Sequence, residues 1–79
     1  MESKNDKFVR LAEGRANRAI DSIRSLAKLA NRNHYEFSPE EVQKIFAALK
    51  HEIDEAKAAY TAALASEYKH RFKLKLKKG

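Results

Sequence analysis

Apolar residues in the first part of the chain recur at intervals of three and four positions. They are Phe8, Ala12, Ala16, Ala19, Ile23, Leu26 and Ala30. This spacing places the side chains on one face of an α-helix, since a helix completes a turn every ~3.6 residues. The pattern therefore predicts a first amphipathic helix over about residues 6–31.

A second apolar stripe alternates strictly between steps of four and three, which is the heptad spacing of a coiled coil. Its members are Val42, Phe46, Leu49, Ile53, Ala56, Tyr60 and Ala63. The segment just before it carries a helix-start signal: Ser38 is a favoured N-cap, Pro39 suits the first helical position, and Glu41 completes a capping box. The sequence therefore predicts a second helix over about residues 38–68.

The segment 31–37 interrupts both stripes and is the expected turn. Its first residue, Asn31, tolerates the left-handed conformation in which many helices end. If the chain reverses here, the stripes match layer by layer, for example Leu26 with Phe46 and Ile23 with Leu49. The predicted fold class is all-α: an antiparallel, coiled-coil-like two-helix hairpin over residues 1–68, followed by a basic tail.

The apolar set is wider than the single seam of a two-helix hairpin. Leu11, Ile20 and Ile45 lie beside the two stripes. Either the turn and the tail cover this flank, or a second copy completes a four-helix bundle. Of these two alternatives, the pattern favours the homodimer.

The distribution of charge divides the chain into a neutral body and a basic tail. The formal net charge is +6, and residues 69–78 carry six basic side chains and no acidic one. Residues 1–68 are therefore formally neutral. Within them, residues 4–32 sum to +5 and residues 36–67 to −4, so the two halves of the body carry opposite charge.

The tail is the strongest candidate binding segment, through Lys69, Arg71, Phe72, Lys73, Leu74, Lys75, Leu76, Lys77 and Lys78. One interpretation is an arm that binds nucleic-acid phosphates with release of counterions. A second is a strand that adds to a partner's sheet edge, since apolar residues alternate with bases. The tail also fits an amphipathic membrane contact or a solubilising segment without fixed structure.

Secondary candidates lie on the polar side of the first helix and in the turn: Lys7, Arg10, Arg18, Lys28, Arg32 and Tyr35. The basic side chains suit phosphate contacts, although Asp21 interrupts them and a solvated helix face is the alternative. Tyr35 and Phe37 beside Arg32 suit stacking on unpaired bases. The alternative is that both aromatic rings cap the end of the hairpin core, with Phe37 packing on Val42.

Features typical of an enzyme, a cofactor site or a membrane protein are missing from the sequence. There is no cysteine, no Gly-rich phosphate loop and no arrangement typical of a nucleophilic triad. His51 and Glu55 are one helical turn apart but would supply only half of a metal site. Because no apolar run reaches ~20 residues and the N-terminus has no apolar signal region, we expect a cytoplasmic, non-enzymatic protein without a membrane span, cofactor or metal.

Three segments carry a resemblance to a known family: Arg10–Glu13, Leu29–Glu40 and Val42–Leu49. The turn fits the pattern Asn-Arg-x-x-Tyr-x-[Tyr/Phe]. Over about residues 8–60 the chain resembles a family of small helical bacterial proteins of unassigned function, often encoded on plasmids or phages. The resemblance implies a bacterial or mobile-element context, and it implies no activity and no catalytic residue.

These observations predict a non-enzymatic, nucleic-acid-associated helical protein whose basic C-terminal arm contacts the phosphate backbone. Nucleic acid or a nucleoprotein machine is the expected partner, with a protein partner through the tail and a homodimer as further options. One alternative is a protein-binding regulator, such as a mobile-element-encoded inhibitor of a nucleic-acid-processing machine. A second alternative is a structural helical subunit of a larger complex.

Overall fold

The chain forms two α-helices in a computed structural model that describes the backbone of residues 1–78 and the side chains of residues 1–66. Helix α1 spans Lys4–Ala27 and helix α2 spans Pro39–Lys78, and this part of the chain contains no strand. The all-α class is therefore confirmed. The chain divides into two units, Met1–Phe37 and Ser38–Gly79, each of which holds one helix.

Helix α1 begins two residues before the predicted start, because Ser3 caps it. The Ser3 hydroxyl accepts a hydrogen bond from the Asp6 backbone N–H at 3.0 Å, and the Asp6 carboxylate accepts one from the Ser3 N–H at 3.4 Å. This reciprocal pair is a capping box, which satisfies two N–H groups at the helix start. The acidic side chain in the first turn also suits the positive end of the helix dipole.

Helix α1 ends at Ala27, four residues short of the predicted end, and it ends in a right-handed conformation. The N–H groups of Lys28, Leu29 and Ala30 each donate to the carbonyl three residues earlier, at 3.1 Å. These tighter turns satisfy the last carbonyl groups of the helix. No non-glycine residue of the described backbone has a positive φ, so the expected left-handed ending at Asn31 is wrong.

Asn31 nevertheless organises the turn that follows. Its carbonyl accepts hydrogen bonds from the N–H groups of His34 at 3.1 Å and Tyr35 at 2.9 Å. Its side-chain oxygen accepts a third bond, from the Asn33 N–H at 2.9 Å. Three bonds to one residue give the segment a defined local shape, in the manner of an Asx turn.

Helix α2 begins as the sequence predicts. The Ser38 hydroxyl accepts from the Glu41 N–H at 3.2 Å, and the Glu41 carboxylate accepts from the Ser38 N–H at 2.8 Å. Pro39 is the first helical residue, where its missing N–H costs nothing. Helix α2 extends to Lys78, ten residues beyond the predicted end near residue 68.

Both apolar stripes are open to solvent. No described side chain is buried, and Phe46 and Ile53 each remain 53% exposed. The most enclosed apolar side chains of the described part are only half-buried: Leu11, Ala12, Leu26, Phe37, Val42 and Leu49. The structure thus shows two helices with exposed apolar side chains, whereas the hairpin packing, its register and the homodimer stay predictions.

Candidate functional site

The described candidate residues belong to the unit Met1–Phe37. Lys7, Arg10 and Arg18 lie on helix α1, Lys28 is its C-cap residue, and Arg32 lies in the turn. All five are exposed. Lys7 and Arg18 are eleven residues apart, which is ~16 Å along the helix axis at ~1.5 Å per residue, so their charges are well separated.

Arg10 is not an open cation, because Glu2 holds its guanidinium. The Arg10 Nε donates to one Glu2 carboxylate oxygen at 2.8 Å, and a terminal guanidinium nitrogen donates to the other at 3.1 Å. The hydrogen bond lowers the pKa of Glu2 and raises the pKa of Arg10. The basic side of α1 therefore offers less uncompensated charge than the sequence predicts.

Sequence reasoning missed Glu2 because it precedes the periodic part of the chain. The two residues are eight positions apart, a spacing outside the three or four that marks neighbours on a helix. The available signal was the helix start itself: a cap at Ser3 places Glu2 just outside the first turn. Both partners are exposed, so the pair contributes little to stability.

The aromatic residues of the turn do not stack on each other but have separate neighbours. The Arg32 guanidinium carbon lies 5.2 Å from the centre of the Phe37 ring, a cation–π distance. Tyr35 meets His34 edge-on, with ring centres 6.3 Å apart and planes at 63°. Tyr35 remains 50% exposed, whereas Phe37 is half-buried.

The local charge of the turn is positive but small. Lys28, Arg32 and Glu36 are the charged residues between positions 28 and 37, and all three are exposed. Arg32 keeps its charge in the contact with Phe37, since an aromatic ring attracts a cation without neutralising it. The turn thus combines one oriented guanidinium with one half-exposed phenol ring.

In the part of helix α2 whose side chains are described, two contacts each join a basic and an acidic residue one helical turn apart. His51 lies 3.5 Å from Glu55, and Lys50 lies 3.0 Å from Asp54. Within residues 1–66 no group of three or more His, Cys, Asp or Glu side chains has the geometry to hold a metal ion. The His51–Glu55 pair has the character of a solvated helix face, and it is a true ion pair only when His51 is protonated.

The backbone of the basic tail continues helix α2 up to Lys78, and does not form the strand that one interpretation of the tail expects. The side chains of the tail, from Lys69 to Lys78, lie outside the described residues, so the predicted arm stays a prediction. Among the described residues, no helix combines the length and the apolar character needed to cross a bilayer.

Comparison with known proteins gives no relative to place beside this geometry. The chain matches no family model, no curated protein and no solved structure.

Proposed function

We propose that this chain is a non-enzymatic, nucleic-acid-associated protein whose C-terminal arm contacts the phosphate backbone. The observation that carries the proposal is the concentration of charge: residues 69–78 hold six basic side chains and no acidic one, which equals the net charge of the whole chain. A cationic segment gains affinity for nucleic acid by releasing condensed counterions. Such binding needs no fixed pocket and reads little base sequence.

The basic side of α1 supplies a smaller, secondary contact. Lys7, Arg18 and Lys28 are exposed. Arg10 contributes less, because its guanidinium already holds Glu2 through two hydrogen bonds. We therefore assign the larger part of the affinity to the arm and a minor part to these three side chains.

The proposal is tested by removing residues 69–79 and measuring binding to a labelled duplex by fluorescence anisotropy. The truncated chain should lose most of its affinity. The share of the slope of log K against log salt that the truncation removes should be no steeper than roughly −5, at about −0.9 for each phosphate that the arm neutralises. A comparison variant replaces Lys7, Arg18 and Lys28 with Gln, which removes three positive charges instead of six and should weaken binding less than the truncation does. Undiminished duplex binding by the truncated chain contradicts the arm.

A second candidate function is protein binding, and the open apolar stripes favour it. Phe46, Ile53 and Leu64 on α2 are 53%, 53% and 67% exposed. Helices gain most of their stability in water by covering such a face. We propose that this apolar face of α2 is covered by α1 in a hairpin and by a second copy of the chain, which makes a four-helix homodimer. The alternative is that the helix of a partner in a larger complex covers it.

The two candidate functions differ in their response to salt. Phosphate binding weakens steeply as salt rises, whereas a hydrophobic helix contact does not. Co-purification from a bacterial host, with and without nuclease, separates them. A partner lost on nuclease treatment favours nucleic-acid association. A protein retained after nuclease treatment favours a regulator or inhibitor of a nucleic-acid-processing machine, in the plasmid or phage context that we propose for the chain.

A further inference from the structure

We propose that the turn formed by residues 31–37 is a stacking site for an unpaired base of single-stranded nucleic acid, with Tyr35 as the platform and Arg32 as the phosphate contact. The inference rests on the proposed nucleic-acid association and names a substrate class for it. The arm alone does not distinguish single strands from duplexes, because both present phosphates. The turn supplies that distinction.

Tyr35 has the position and exposure that base stacking requires. It lies outside both apolar stripes, in a turn held by three hydrogen bonds to Asn31, one of which the Tyr35 N–H donates. Its side chain is 50% exposed. The His34 ring meets it at 63° rather than in parallel, so neither ring covers the whole face of the other. A flat, accessible ring on a defined backbone is a surface on which any base can stack.

Arg32 supplies the second element, a cation in the same turn as the Tyr35 platform. Its guanidinium lies 5.2 Å from the centre of the Phe37 ring. This contact orients the side chain and leaves its charge intact, in contrast to the pairing of Arg10 with Glu2. An Arg and an exposed aromatic ring in one short turn supply the two groups that bind a nucleotide, one for its phosphate and one for its base.

A single strand fits this turn better than a duplex does. Bases in a duplex are stacked on their neighbours and paired, so a side chain on a surface turn does not reach their faces. Glu36 reduces the net charge of residues 28–37 to +1, so the turn attracts phosphate weakly by charge alone. A selective contribution must therefore come from the ring.

The test uses the intact chain with a labelled oligothymidine and a labelled duplex of equal length, measured by anisotropy at one salt concentration. Tyr35→Ala should weaken single-strand binding about fivefold or more, the scale of one base–aromatic stack, and leave duplex binding within about twofold. Tyr35→Phe keeps the ring and should keep the affinity. Leu29→Ala removes another exposed apolar side chain of this unit and should change neither. In a separate titration over several salt concentrations, Arg32→Gln should make the single-strand slope of log K against log salt shallower by about 0.7.

A spectroscopic measurement keeps the proposal testable if Tyr35→Ala lowers the helix content. In a chain carrying Tyr60→Phe and Tyr68→Phe, all tyrosine emission comes from Tyr35. Oligothymidine should quench that emission, because a base stacked on the ring provides a direct path for quenching, and the duplex should not.

The outcomes separate this inference from the function on which it rests. Unchanged single-strand binding by Tyr35→Ala overturns the stacking site, and so does an equal loss on both nucleic acids. If the chain binds the duplex in a salt-dependent way but oligothymidine does not change the Tyr35 emission, the arm proposal stands and the stacking site in the turn is overturned. If the intact chain binds neither nucleic acid, both proposals fail.

Discussion

Replacing Gly14 measures directly how much stability helix α1 loses because of a single glycine. It lies inside α1, where glycine is costly because it loses more backbone freedom on folding than other residues. A Cβ built at this position would meet no atom within 4 Å apart from the adjacent residues and the backbone of its own helix, and no described glycine has a positive φ. Neither a clash nor a strained backbone therefore opposes an alanine here.

Gly14→Ala should stabilise the protein by about 1 kcal/mol, the full difference in helix propensity between the two residues. For a domain of this size, a change of that magnitude raises Tm by roughly 4–8 °C. The assay is thermal unfolding followed by far-UV circular dichroism at matched protein concentrations. Arg18→Ala on the same helix is the control, because Arg and Ala differ little in helix propensity, and its Tm should move by less than Gly14→Ala does.

A lower Tm for Gly14→Ala would refute the reasoning. It would mean that another helix, from the same chain or a second copy, approaches the backbone at Gly14 so closely that a methyl group does not fit. The stabilising outcome agrees with a solvent-facing position, opposite the apolar stripe of α1.

The remaining predictions concern the caps, the Glu2–Arg10 pair and the apolar face of α2. Ser38→Ala and Ser3→Ala each remove a capping box and should lower the free energy of unfolding by about 0.5–2 kcal/mol. Urea unfolding of each variant measures this loss, and an unchanged urea midpoint in both variants would contradict the caps. The pKa of Glu2, followed by NMR, should lie below its ordinary value of 4.5 because of the Arg10 hydrogen bond. The small contribution of the Glu2–Arg10 pair to folding stability is thus fully present above the ordinary pKa of Glu2 and is lost as pH falls through the lowered pKa. Arg10→Gln should return the pKa of Glu2 to its ordinary value. Phe46→Ser should shift light scattering toward the monomer, with Lys44→Ser as the exposed polar control; identical masses for parent and variants at all concentrations count against self-association through α2.

The start of α2 was predictable because its determinants are adjacent in the chain. A hydroxyl at Ser38 and a carboxylate at Glu41 reach each other's backbone N–H whenever the helix begins between them. The same logic applies to Ser3 and Asp6, but the apolar periodicity starts only at Phe8, so the earlier cap was overlooked. The end of α1 was predicted less well, because apolar spacing continues to Ala30 while the hydrogen bonds have already tightened after Ala27.

The amino-acid sequence by itself determined the two helices, the turn between them and the separation of charge. All three follow from interactions over three or four residues or from simple counting. Only the tertiary structure decided which side chains meet across longer or irregular stretches. Glu2 holds Arg10 from outside the helix, and Arg32 rather than Tyr35 is the neighbour of the Phe37 ring. Such contacts depend on the path of non-helical backbone, whose dihedral angles no periodic pattern encodes.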